Sequence, residues 1–304
     1  MLSFILRRLL QTVLIMLGVL TVVFVLVRLT GDPAALYLPE DASQEQIEAL
    51  QTRLGLDQPV HVQYFGYVGD MMRGDLGTSL WHNRPVADLL ISRLPATAVL
   101  TGVSMLFAVA IALPLGVLSA IKRNSLTDSL GRVVALLGLS LPNFWVGIML
   151  ILIFSVQLNW LPSFGRGSWQ HLILPAIALG TSAAGTIMRL VRSTVLETMN
   201  EDFVRTARAK GLPERVVVGK HVLRNAAIPT VTFIGMQIGF FLSGAVVVET
   251  VFGYPGIGRL AIQAIANRDF AIVQAFVLFS AVVFALVNFL VDYLYTTLDP
   301  RIRL

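Results

Sequence analysis

Long apolar runs alternate with short polar segments along most of the chain. A membrane-spanning helix needs roughly 20 predominantly apolar residues to cross a hydrocarbon core of about 30 Å. Six runs approach or exceed that length, and their central parts contain no Asp, Glu, Lys or Arg. They predict six transmembrane helices, at about Leu9–Leu29, Ala96–Ile121, Val133–Leu158, Leu172–Met188, Ile228–Val248 and Ile272–Val291.

The composition agrees with this pattern. Of the 304 residues, 56% are hydrophobic and only 13% are charged, whereas soluble domains carry roughly 25% charged residues. The first run follows two arginines, as a signal peptide would, but it is longer than the roughly 7–15 apolar residues of such a peptide. The chain has no cysteine, which excludes disulfides and Cys-ligated metals. We therefore expect an all-α integral membrane protein.

The distribution of basic residues predicts the orientation. Residues 30–95 contain four Lys/Arg against nine Asp/Glu, whereas residues 189–227 contain eight Lys/Arg against four Asp/Glu. Basic residues also mark the N-terminus, the loop after the second span and the C-terminal tail, and segments of this kind face the cytoplasm. Both termini are thus expected to be cytoplasmic. Membrane orientation explains the net charge of +5, and nucleic-acid binding is not expected.

The acidic segment after the first span predicts an external helical insertion between spans 1 and 2. Ser43 and Gln46 have the spacing of a capping box, at the start of a helix that ends at Gly55. Further helices are predicted from Pro59 to Arg73 and from Pro85 to Leu94. These helices either cap the bundle or form a docking surface for a soluble external partner. The predicted division is a first span (1–30), the external segment (31–95) and a five-span core (96–304).

Polar residues in the spans are few. Candidates for the lining of a translocation path are Thr186, Gln237, Ser243, Ser280 and Asn288. Hydrogen bonds between helices are the simpler explanation for each of them. The charged residues at span ends, where side chains are expected to reach water, are Arg28, Arg189, Glu249 and Asp292. Because ion-coupled carriers usually need ionisable relays inside the membrane, the charge-free span centres argue against such a carrier.

Catalytic motifs are missing from the sequence. The four histidines, His61, His82, His171 and His221, are scattered, and neither a zinc-protease motif nor a nucleophile elbow occurs. No complete phosphate-binding loop occurs either. We therefore expect no catalytic residue, no metal and no cofactor in this chain, and a membrane enzyme is disfavoured.

A basic stretch, residues 194–227, interrupts the apolar pattern between spans 4 and 5. Asn200 is expected to cap a short helix, and Gly211 to end it in the left-handed conformation. Pro213 suits the first turn of a second helix, which is expected to end before Pro229. The apolar residues Phe203, Val204, Ala207 and Leu212, with Arg208 and Lys210 beside them, either dock into a groove of a partner or rest on anionic lipid.

This stretch also carries a resemblance. Ala207–Gly211, followed by Ile228-Pro229, resembles the "EAA" loop of permease subunits in ATP-binding-cassette (ABC) importers. Arg-Thr-Ala-Arg-Ala-Lys-Gly stands where the shorter family pattern reads Glu-Ala-Ala, a variant usual in the dipeptide/oligopeptide branch, to which glutathione and nickel permeases belong. Glutathione-type and dipeptide-type B subunits look most similar. Further matching motifs are Arg7-Arg8-Leu9-Leu10, Gly31-Asp32-Pro33-Ala34, Leu54-Gly55-Leu56-Asp57-Gln58-Pro59, Gly74-Asp75-Leu76-Gly77-Thr78-Ser79, Arg84-Pro85-Val86, Val248 to Gly258 and Asp299 to Arg303.

The resemblance implies a type I ABC importer (MetI-like) permease fold in a bacterial cytoplasmic membrane. It also implies partners: a homologous second permease, two ATPases that hold ATP and Mg, and an extracytoplasmic solute-binding protein. The ATPases would dock on the loop, at Phe203, Val204, Ala207, Arg208, Lys210, Gly211 and Leu212. The implied cargo is di- or oligopeptides or glutathione-like peptides, although nickel chelates, oligosaccharides and other small solutes are carried in the same branch.

A glycine-rich segment, Gly253 to Gly258, follows the fifth span. It contains no lysine, serine or threonine, so it is not a phosphate cradle. A tight turn before a surface helix is the simpler interpretation. The alternative is an external gate or a contact with the binding protein, for which the candidates are Glu249, Tyr254, Pro255, Gly256 and Gly258.

Overall fold

The computed structural model describes residues 2–29, 42–53 and 55–298, which are mostly helical. Two short strands are β1 (Thr78–Ser79) and β2 (Arg84–Pro85). The α-helices are α1 (Leu2–Leu29), α2 (Gln44–Arg53), α3 (Val60–Met72), α4 (Val86–Ile121), α5 (Leu126–Ser140), α6 (Asn143–Leu150), α7 (Gln170–Met199), α8 (Asp202–Ala209), α9 (Glu214–Val216), α10 (Leu223–Gly244), α11 (Val246–Val251), α12 (Ile257–Ala266) and α13 (Phe270–Leu298). Two π-helical segments, Ile151–Gln157 and Val217–Val222, continue α6 and α9.

The described helices contain the predicted number of spans. Five stretches are long and apolar enough to cross a membrane: Leu10–Leu29, Val86–Ile121, Gln170–Met199, Glu214–Leu242 and Phe270–Val291. A bent pair, Leu126–Ser140 and Asn143–Gln157, is the sixth when it is counted as one span. The expectation of an all-helical membrane protein with six spans is confirmed.

The third span is not the continuous helix that we predicted for residues 133–158. Its two halves are bent by 100° between Ser140 and Asn143. Leu141 is extended (φ −86°, ψ 124°) and precedes Pro142. A residue before proline is pushed out of the helical region, and proline itself has no N–H to donate to the preceding turn. Hydropathy alone does not report this break, because the apolar run continues across it.

A second proline, Pro229, does not break its helix. We expected the helix after the basic stretch to end before Pro229, but Pro229 lies inside α10. The chain from Glu214 to Leu242 is one continuous candidate span. Membrane helices tolerate an interior proline, because neighbouring groups compensate for the lost backbone hydrogen bond. The basic stretch is therefore joined directly to the fifth span.

The chain forms two compact units. One consists of Ala96–Pro255 with Leu286–Leu304. Much of its core comes from α7, in which Ala178, Ala183, Ile187 and Val195 are fully buried. A Cβ atom on Gly185 of α7 would lie 2.6 Å from the Ala135 carbonyl oxygen of α5. The backbones of these helices approach so closely that only glycine fits at this position.

The other unit consists of Met1–Pro95 with Gly256–Ala285. The predicted capping box starts α2, since the Gln46 N–H donates to Ser43 Oγ (3.3 Å) and the Ser43 N–H to Gln46 Oε1 (3.0 Å). Gly55, the predicted end of this helix, has a left-handed conformation with φ 64°. One cluster of buried apolar residues in this unit consists of Val86, Leu89, Leu90, Ile257, Leu260, Ala264, Ile272 and Ala275.

Two features of the external segment differ from the prediction. The helix expected from Pro85 to Leu94 is the first part of α4, which continues to Ile121. Before it, β1 and β2 form an antiparallel pair in which Thr78 faces Pro85 and Ser79 faces Arg84. Strands of two residues leave too little hydropathy alternation to be recognised in sequence. In α3, burial raises the pKa of Tyr67 to about 12.

Candidate functional site

The basic stretch folds into a short helix and a tight turn, which we call the polar hairpin (residues 200–216). The N-cap of α8 is Glu201, not Asn200 as predicted. Asn200 instead closes α7, where its Nδ2 donates to the Leu196 carbonyl oxygen (3.0 Å). Asp202 in the first turn and Arg208 in the last turn of α8 have the charges that the helix dipole favours.

The turn after α8 depends on Gly211. Its φ is 75°, which confirms the predicted left-handed stop. The Gly211 N–H donates to the Arg208 carbonyl oxygen at 2.9 Å, and the Leu212 N–H donates to the Ala207 carbonyl oxygen at 3.4 Å. Pro213 precedes α9 with φ −66°. The chain thus reverses within a few residues and enters the fifth span.

An ion pair crosses the turn. Arg208 Nη2 donates to Glu214 Oε1 at 2.7 Å, and Arg208 Nε donates to Glu214 Oε2 at 3.2 Å. The hydrogen bond to this carboxylate raises the pKa of Arg208. Both side chains are partly exposed, so the pair contributes little stability. Its two parallel bonds restrict the orientation of the arginine more than they stabilise the fold.

The predicted apolar patch divides between two faces of the hairpin. Val204 and Ala207 are buried, at 0% and 5% exposure. They belong to the same apolar core as Val195 of α7 and Val217 of the π-helical segment. Phe203 and Leu212 remain on the surface, at 41% and 38% exposure, where Arg208 and Lys210 are also exposed. The inner face therefore attaches α8 to the spans on both sides of it, and the outer face is free for a partner.

The candidate path residues are only partly described. Thr186, Gln237, Ser280 and Asn288 are all half-buried, and the Ser243 side chain lies outside the described part. Thr186 Oγ1 donates to the Ser182 carbonyl oxygen of its own helix at 3.1 Å. The role of these residues in a path stays a prediction.

Among the candidate gate residues, Glu249 differs most from expectation. The prediction that its side chain reaches water was wrong, because Glu249 is fully buried. Thr97 Oγ1 donates to Glu249 Oε1 at 2.6 Å, and the Tyr254 N–H donates to the Glu249 carbonyl oxygen at 2.8 Å. The chain turns at Gly253, which has a φ of 57°. Sequence position at a span end gave no sign of this turn.

The other gate candidates follow this turn, and Gly258 already lies in α12. Tyr254 is also fully buried. Pro255 is half-buried, Gly256 and Gly258 are buried, and Gly256 precedes α12. The predicted turn followed by a helix is confirmed. The function of these residues as a gate or a contact for the binding protein stays a prediction.

A cluster that the sequence analysis missed joins two distant segments of one unit. The Ser79 hydroxyl donates to Asp269 Oδ2, and the His82 N–H donates to Ser79 Oγ at 2.9 Å. Although Ser, His and Asp meet here, the serine is fully buried and bonded to the aspartate, so it is not placed as a nucleophile. The cluster fixes the β-hairpin to the segment before α13. Ser79 and Asp269 are 190 residues apart, and no local pattern connects them.

Comparison with known proteins identifies the family. The protein-family model described as "Binding-protein-dependent transport system inner membrane component" matches residues 112–304. The chain belongs to this family. A second model, "Binding-prot-dependent transport system membrane comp, N-term", matches residues 1–101. The protein is thus a multi-pass inner-membrane permease subunit of an ABC importer, and the resemblance to the peptide and glutathione branch is confirmed.

Curated relatives of this permease extend over its whole length. The glutathione transport system permease protein GsiC of Salmonella paratyphi A is 45% identical over 304 residues, covering 100% of this chain and 99% of that protein. GsiC of Escherichia coli (strain K12) is 43% identical with the same coverage. The word glutathione in these names refers to the relatives and not to this chain.

Solved structures share the permease fold. The MetNI methionine ABC transporter in inward-facing conformations gives a TM-score of 0.60 at 21% identity, covering 69% of this chain and 96% of that chain. An amino acid ABC transporter with histidines gives 0.53 at 16% identity, covering 71% and 94%. The expected type I, MetI-like fold is confirmed.

Proposed function

We propose that this permease subunit imports glutathione or other short peptides, driven by two ATPases that dock on the polar hairpin. The observation that carries the proposal is the division of α8 into two faces. Val204 and Ala207 are buried in the core of the spans, while Phe203 and Leu212 stay exposed. An exposed apolar pair with a basic border is suited to a groove in a partner protein.

The hairpin is also built to carry movement. The buried face of α8 packs in one core with residues of the fourth and fifth spans. A partner that displaces Phe203 and Leu212 therefore displaces both spans. The π-helical segment Val217–Val222 lies between the hairpin and α10, and such segments are frequent at functional positions in helices.

The proposed assembly is the one that the permease family implies. A homologous second permease would form the other half of the translocation path, and an extracytoplasmic binding protein would deliver the solute. ATP and Mg would be held by the ATPases alone. The charge distribution supports cytoplasmic termini and a cytoplasmic hairpin, because residues 189–227 hold eight Lys/Arg and residues 30–95 only four.

An ion-coupled carrier is the second candidate, and the burial of Glu249 favours it. Buried carboxylates inside the membrane are typical of proton relays. Glu249, however, accepts a hydrogen bond from Thr97, close to the turn at Gly253. A single satisfied acid beside a turn is better explained as a local structural group than as a relay across the membrane.

The cargo is tested by uptake into cells that lack their own glutathione and peptide importers. The chain is expressed with its partner permease, ATPases and binding protein, and labelled glutathione is supplied outside. We expect uptake that unlabelled glutathione or a dipeptide suppresses and that requires the binding protein. Uptake of a nickel chelate or an oligosaccharide, with no uptake of either peptide, would contradict the proposed cargo but not the permease function.

A further inference from the structure

The turn between α4 and α5 contains a buried acid. Asp128 lies in the first turn of α5, and its side chain is 0% exposed. Ser119 Oγ donates to Asp128 Oδ1 at 2.6 Å, and the Asn124 N–H donates to Asp128 Oδ2 at 3.0 Å. The carboxylate therefore joins the end of α4, the turn that follows it and the start of α5.

The same carboxylate binds an arginine from a distant part of the chain. Arg192 Nε donates to Asp128 Oδ1 at 2.7 Å, and Arg192 Nη2 donates to Asp128 Oδ2 at 2.9 Å. Two parallel bonds fix the orientation of a guanidinium as well as its position. We call this pair the clamp. It attaches α7 to α4 and α5 at one geometrically defined point.

The clamp lies close to the polar hairpin. Arg192 is seven residues before Met199, the end of α7, which is about 10 Å along the helix axis. The next helix, α8, begins at Asp202. A displacement of α8 therefore reaches the clamp before it reaches the more distant turns of α7.

Stability alone does not explain a charged pair at this position. Removing two charges from water offsets most of their attraction, and apolar side chains of similar size often stabilise a protein equally well. What a bidentate pair adds is one defined arrangement of the helices that it joins. A second arginine, Arg132, has its Nε 3.7 Å from Asp128 Oδ1 but is 57% exposed, so it contributes little.

We propose that Asp128 and Arg192 are positioning residues that transmit the movement of α8 to α4 and α5. The inference rests on the proposed function, in which ATPases displace α8. With the clamp intact, α4, α5 and α7 move as one body when the hairpin is pulled. Without it, the close packing at Gly185 still holds α5 against α7, but the ends of α4 and α5 next to the hairpin are no longer fixed to α7. ATP hydrolysis then no longer opens the translocation path each time the hairpin moves.

The test measures solute uptake per ATP hydrolysed by the assembled transporter in proteoliposomes. The double variant Asp128→Asn/Arg192→Gln removes both charges together, so no unpaired buried charge remains to unfold the protein. We expect ATP hydrolysis to continue while uptake per ATP falls at least about fivefold, the lower end of usual coupling effects. Arg132→Gln is the matched control and is expected to behave as the unaltered protein.

A distance measurement separates transmission from stability. The chain has no cysteine, so Thr127→Cys and Glu197→Cys, both at exposed positions, accept spin labels specifically when the partners are cysteine-free. When the clamp is unaltered, we expect the distance between the two spin labels to have one narrow distribution, both with and without trapped ATP. In the double variant the distribution should broaden when ATP is trapped. If the double variant fails to assemble, Arg192→Lys takes its place. This variant keeps the charge but cannot form both bonds, and we expect its uptake per ATP to fall as well.

Two results would contradict the proposed role of the clamp in transmitting movement. One is a double variant with unchanged uptake per ATP. The other is a parallel fall of uptake and ATP hydrolysis with an unchanged distance distribution, which would mean that the pair only supports assembly. Failure of the unaltered transporter to couple uptake to ATP would instead contradict the proposed function.

Discussion

Gly211 offers the sharpest test of the polar hairpin. Its φ of 75° lies in the left-handed region, yet a Cβ atom added there would meet nothing within 4 Å. The effect of Gly211→Val is therefore backbone strain and not a clash. The left-handed conformation costs an L-residue about 1–2 kcal/mol, and a branched side chain lies at the upper end. Since about 1.4 kcal/mol is a factor of ten, the native turn should lose roughly five- to thirtyfold in population.

The assay compares uptake and ATP hydrolysis in proteoliposomes that contain the assembled transporter. We expect Gly211→Val to insert normally but to lose uptake per ATP, because α8 is no longer held at its position. Gly219→Val is the matched control: Gly219 is also exposed with nothing within 4 Å of an added Cβ, but it has no positive φ. Gly211→Asn should restore coupling, because asparagine tolerates this conformation. Unchanged coupling in Gly211→Val, or equal loss in both valine variants, would refute the reasoning.

Three further predictions concern packing, the external cluster and docking. Gly185→Val should destabilise the permease by about 1–3 kcal/mol, measured by thermal unfolding, because its Cβ would lie 2.6 Å from the Ala135 carbonyl oxygen. Ser79→Ala leaves the buried Asp269 without one donor and should cost about 1–3 kcal/mol, seen as faster hydrogen exchange in residues 78–85. Phe203→Ser should weaken co-purification of the ATPases about tenfold or more if Phe203 is a central contact, with membrane insertion unchanged.

Features that depend on local sequence could be predicted. The six apolar stretches, the capping box at Ser43 and the left-handed stop at Gly211 each follow from a few neighbouring residues. Backbone conformation and membrane insertion respond to such short patterns. The hairpin between spans 4 and 5 was therefore correctly located, although its N-cap was assigned one residue too early, at Asn200.

Features that depend on tertiary contacts between residues far apart in sequence could not be predicted. Helical periodicity in α8 puts Val204 and Ala207 on one face and Phe203 about 100° away from it, but only tertiary packing decides which face is buried. The Asp128–Arg192 pair joins positions 64 residues apart. Pro142 breaks its span whereas Pro229 does not, because membrane helices accommodate proline according to their surroundings.

The central claim is that a separate ATPase drives this permease through the polar hairpin. The most direct measurement places the complete transporter in sealed proteoliposomes with the binding protein and labelled glutathione outside, and supplies either ATP inside or a proton or sodium gradient without ATP. The account predicts accumulation with ATP alone, and its loss when the ATPases are omitted. Accumulation driven by either ion gradient in the absence of the ATPases would contradict it.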